Sequence, residues 1–136
     1  MKVFKVNRMY WKDKNTKMIE EVDTDDTTLL KKDFGKFVYV KTKQRALDTI
    51  KVSDKFYLQA MQNELDFVVK RKQRWKNWTP NNAEFLYTAD LDNLVLSHKD
   101  NSKMLWEEAK EKLIKRIQNS EKEIRDRIAV LCSVKK

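Results

Sequence analysis

Phe37-Val38-Tyr39-Val40-Lys41-Thr42-Lys43-Gln44-Arg45-Ala46-Leu47 is the stretch whose reading decides the fold. Its first four residues are all aromatic or β-branched, the side chains that suit a pleated strand. The pattern then changes period. Thr42 has the hydroxyl of a helix N-cap, and Ala46, Leu47 and Ile50 follow at helical spacing. A strand therefore passes almost directly into a helix. Upstream of this junction the chain reads as strand, and downstream mostly as helix. Strands and helices segregated in this way belong to an α+β fold.

Upstream, Lys2 to Trp11 is rich in β-branched and aromatic residues and reads as a strand. Lys12-Asp13-Lys14-Asn15 is a polar turn, and Lys17 to Val22 is the second strand of a hairpin. Asp23-Thr24-Asp25-Asp26 is an acidic loop. Leu29 and Leu30 fit one helical turn that stops near Asp33-Phe34-Gly35. Gly35 is the single glycine, so a positive φ is expected there. The sequence thus predicts a small N-terminal antiparallel sheet of about three strands packed against helices.

Downstream, Ser53-Asp54 can cap a second, longer helix with the stripe Tyr57, Met61, Leu65, Val68, running to about Lys76. Thr79-Pro80 is a helix-start signal. Glu84 to Ser97 fits either a helix or two strands around Asp92-Asn93. A long C-terminal helix is expected over 103–131, where Trp106, Ala109, Leu113, Ile117, Ile124, Ile128 and Leu131 form one stripe. Eleven-residue steps from Trp106 to Ile117 to Ile128 match three turns of a straight helix. With 136 residues and no linker, the whole chain reads as a single α+β domain.

The single Cys132 excludes an intramolecular disulfide and fits a reducing compartment. The N-terminus lacks an apolar signal region, and no run approaches membrane-spanning length, so a cytoplasmic location and no membrane partner are expected. One glycine excludes a phosphate-cradling loop or a dinucleotide fingerprint. One Cys and one His exclude a zinc cluster of the Cys/His type. The sequence therefore carries no catalytic residue, metal or cofactor that can be named. Cys132 extends the apolar stripe of the last helix and reads as inert packing. His98 lies in a polar stretch and reads as solvated.

The formal net charge of +9 is unevenly spread: +3 over 1–42, +5 over 43–78, −3 over 79–102 and +4 over 103–136. The densest basic run is Lys70-Arg71-Lys72-Gln73-Arg74-Trp75-Lys76-Asn77-Trp78. Lys and Arg can neutralise phosphates, and Trp can stack on bases. Lys70, Arg71, Lys72, Arg74, Trp75, Lys76 and Trp78 are therefore the candidate nucleic-acid-binding residues. The competing reading makes the cations a favourable helix C-terminus and the two Trp core. Asp90 and Asp92 would share one face of a strand, as a Mg²⁺-binding pair in a nuclease does; the plainer reading is an acidic loop.

The 37–47 junction resembles the sheet-to-helix junction of the arm-binding N-terminal domain of tyrosine recombinases, a pattern also common to any strand that enters a Thr-capped helix. The expectation for function is a small, basic, non-enzymatic protein that contacts nucleic acid or a nucleoprotein complex. Alternatives are a protein-interaction accessory or inhibitor factor, of the kind phages and mobile elements encode, and a small metal-dependent nuclease.

Overall fold

In the computed structural model the described residues are 1–13, 15–32, 35–81 and 88–133. The fold is α+β. A small N-terminal antiparallel sheet packs against helices, and a long helix ends the chain. Strands β1 (Lys2–Asn7), β2 (Ile19–Asp23) and β3 (Phe37–Val40) form a sheet of order β2-β1-β3. Both partners run antiparallel to β1, with Val3 opposite Val22 and Val6 opposite Val38. Helices α1 (Lys43–Asn77), α2 (Thr88–Asp100) and α3 (Trp106–Ser133) follow.

Several elements differ from the sequence reading. β1 stops at Asn7, and Tyr10–Lys12 form a 3-10 turn. The aromatic residues read as strand are thus used to anchor a turn. Residues 43–77 form one unbroken helix, so Ser53 and Asp54 are not a cap. Both are buried in mid-helix, where they face the N-terminal segment: Arg8 Nε donates to Ser53 Oγ at 3.0 Å, and Tyr10 Oη donates to Asp54 Oδ2 at 2.9 Å. Between helix and two strands for 84–97, residues 88–97 are helix; 84–87 lie outside the described residues. Thr42 is the expected cap, its hydroxyl accepting from Arg45 N–H at 3.1 Å. Gly35 has φ +92°, the left-handed conformation that only glycine takes cheaply.

The chain contacts divide into two compact units: Met1–Met61 with Arg127–Lys136, and Gln62–Asp126. In the first, Val3, Val6, Val38, Ala46, Ile50 and Leu131 are buried. Trp11 and Tyr57 meet edge to face, with ring centroids 6.0 Å apart. In the second, Val68, Trp75, Leu94, Leu113, Ile117 and Ile124 are buried. Cys132 is exposed, contrary to the packing role expected of it. At 100° per residue it stands 80° from Ile124 and 100° from Leu131, off the axis of the buried stripe.

Candidate nucleic-acid interface

Residues 70–77 of the run form the last turns of α1 in the second unit, Trp78 follows the helix, and the fold splits the run. Lys70, Arg74 and Lys76 are exposed. Arg71 and Lys72 are not free cations. Arg71 grips Asp90 with two bonds, Nε to Oδ2 at 2.6 Å and a short one from Nη2 to Oδ1. Lys72 Nζ donates to both oxygens of Glu121, at 2.7 and 2.9 Å. That hydrogen bond holds the Glu121 carboxyl below the usual carboxylate range, with the Lys72 and Arg125 charges adding to it. Of the candidate cations, Arg71 and Lys72 are thus turned to carboxylates within the fold. The acidic stretch is distant in sequence, yet the fold brings Asp90 back onto the basic run.

The two indoles are also spoken for. Trp75 is fully buried and its Nε1–H donates to Asp90 Oδ2 at 2.9 Å. Trp78 is 9% exposed, its ring 5.5 Å from that of Trp75. Neither ring offers a face on which a base could stack. Lys110 Nζ donates to the Lys76 and Trp78 carbonyls at 3.0 and 2.7 Å, satisfying helix-end acceptors with a cation.

The Mg²⁺ pair imagined for Asp90 and Asp92 does not form. Both lie on α2, where two residues are 200° apart, so Asp92 is exposed while Asp90 is 2% exposed. Asp90's carboxylate is consumed by Arg71 and Trp75. Among the described residues no group of three or more His, Cys, Asp or Glu is placed to hold a metal ion. His98 is not in a loop: it lies in α2 and stacks on Trp106, 3.9 Å between ring centroids.

Further positive charge lies outside this run. The first unit holds 17 Lys and Arg against 9 Asp and Glu, a net +8; the second holds 13 against 12, a net +1. Within the first unit, a groove of about 500 Å³ opens between Leu30 and Lys32, strand β3 and the first turns of α1. Three cations line it: Arg8, Lys32 and Arg45. None has a carboxylate within ion-pair distance among the described residues. Arg8 is held in place without being neutralised, because its partners are the Ser53 hydroxyl and the Gly35 carbonyl. Leu30, Val38, Val40 and Val52 supply apolar walls, and Asp48 is the one acid in the lining among the described residues.

Sequence reasoning missed these three residues because they come from three separate segments of the chain. Positions 8, 32 and 45 come together only through strand pairing and the docking of α1. No local signal marks them.

Among the described residues no helix is long and apolar enough to cross a membrane. No protein-family model, no curated protein and no solved structure matches this chain.

Proposed function

We propose that this is a non-enzymatic binding protein whose partner is a nucleic acid, and that the contact surface belongs to the first unit. The observation that carries this reading is that Arg8, Lys32 and Arg45 have no ion-pair partner among the described residues, in a unit of net charge +8. A protein that needs its cations only for internal ion pairs leaves them as Arg71 and Lys72 are left, each with a carboxylate. Unpaired cations gathered on one unit attract a polyanion and release its counterions on contact.

Binding of wild type to mixed-sequence DNA and RNA is the test, measured by anisotropy over a range of salt. Affinity falls steeply as salt rises, with a log–log slope of about −0.7 to −0.9 for each phosphate neutralised. Absence of binding at low salt removes this reading.

A second reading is favoured by the other unit, which is nearly neutral and exposes apolar side chains. Leu91 and Val95 lie one turn apart on α2 at 41% and 44% exposure, and Leu105 precedes α3 at 63%. Such residues suit a protein partner. A stoichiometric protein recovered from nuclease-treated host extract supports that reading.

A further inference from the structure

We propose that the groove between β3 and the start of α1 takes one unstacked nucleotide of a single strand, which makes the protein selective for single-stranded over duplex nucleic acid. This rests on the nucleic-acid reading above and names its substrate class.

The geometry of β3 is the starting point. β3 is an edge strand, since the sheet order is β2-β1-β3. Asn7 N–H donates to Met18 O on the β2 side, at 2.9 Å; Arg8 N–H donates to Lys36 O on the β3 side, at 2.8 Å. Bonding directions alternate along β1, so Phe4 and Val6 bond to their partners Val40 and Val38. The N–H and C=O of Tyr39 then point away from β1. No backbone partner for them is present among the described residues. Side chains alternate between faces, so Val38 and Val40 present one face and Tyr39 the other. All three line the groove. By this alternation Tyr39 is placed to contribute its outward backbone edge.

The groove thus combines three features. Its walls are aliphatic, from Leu30, Val38, Val40 and Val52. Its strand edge offers a donor and an acceptor side by side, the chemistry that reads the edge of a base. Its rim carries Arg8, Lys32 and Arg45 for a phosphate. A volume of about 500 Å³ lies in the range of small-ligand sites. Duplex bases are stacked and paired, and cannot leave the helix without an unstacking cost; single-strand bases can be splayed into a pocket. An acidic extended peptide would also meet a strand edge and cations. The nucleotide is favoured because the first unit carries a large positive excess, 17 cations against 9 acids, which suits a long polyanion better than a few carboxylates.

Val52 is the position to alter, because it lines the groove and is 70% exposed, so a larger side chain there meets solvent and not core. Val52→Phe and Val52→Trp fill the slot and leave all three cations in place. The probes are a mixed-sequence single strand and its duplex of equal length, titrated against the full chain, with a melting curve on each variant. Wild type prefers the single strand by about tenfold or more, and the filled variants lose about tenfold of that preference while their duplex affinity stays within about twofold. Equal wild-type affinity for the two forms overturns the proposal and leaves the nucleic-acid reading standing. A preference kept in both folded variants overturns it too. So does poly-glutamate displacing the single strand as well as unlabelled single strand does. Failure of both forms to bind overturns the nucleic-acid reading itself.

Discussion

Asp90 reverses its apparent meaning between sequence and structure. In the sequence it is one acid of a pair with metal-binding spacing; in the structure it is the buried anion that holds Arg71 and the Trp75 indole. It also lies in the first turn of α2, where the helix dipole favours negative charge. Removing one partner of a buried pair strands the other, so Asp90→Ala costs about 3–5 kcal/mol, near the low end because the Arg71 side chain keeps 23% exposure. Exposed Lys70→Ala stays within about 0.5 kcal/mol. Urea denaturation of the two variants checks this; an Asp90→Ala protein as stable as wild type removes the structural role assigned to Asp90. Tyr10 gives a pH dependence. Burial, then its hydrogen bond to the Asp54 carboxylate and that carboxylate's charge, push its hydroxyl well above 10. A folded-state value above the unfolded one means the stabilisation is complete below about pH 10 and is lost as pH climbs through the folded value. Melting temperature should therefore fall above pH 10 more steeply in wild type than in Tyr10→Phe. Parallel curves would show that Tyr10 does not drive the alkaline loss.

The elements with long, one-sided periodicity were legible. The stripe through Leu113, Ile117 and Ile124 gave α3, and the structure buries all three at 1% exposure. Ile117→Ala should cost about 2–5 kcal/mol, read as a lower denaturation midpoint; an unchanged midpoint would mean the stripe does not hold this helix. The strand β3 and the Thr42 cap were legible for the same reason, a strong local pattern. The break assigned at Ser53-Asp54 was not real. Two good capping side chains are recruited instead by Arg8 and Tyr10 from 40 or more residues away, and no local rule anticipates that. Cys132 failed for a geometric reason: a position next to Leu131 is not on Leu131's face of the helix.

Across the molecule, charge density along the chain and charge available in the fold proved to be different things. The basic run at 70–78 is dense in sequence, but two of its cations face carboxylates and both its Trp rings are buried. The groove cations come from three separate segments, and among the described residues none has an ion-pair partner. Ion pairs between distant residues decide which positive charges reach a ligand, and pairing of that kind cannot be read from spacing. The most direct measurement is the salt dependence of single-strand binding for wild type, for Lys32→Ala/Arg45→Gln and for Lys70→Ala/Lys76→Ala. If both groove cations contact phosphates, the log–log slope of the first variant is shallower by about 1.4, two contacts at about 0.7 each, while that of the second is unchanged. A slope that flattens in the 70/76 variant and not in the 32/45 variant would contradict the assignment of the interface to the first unit.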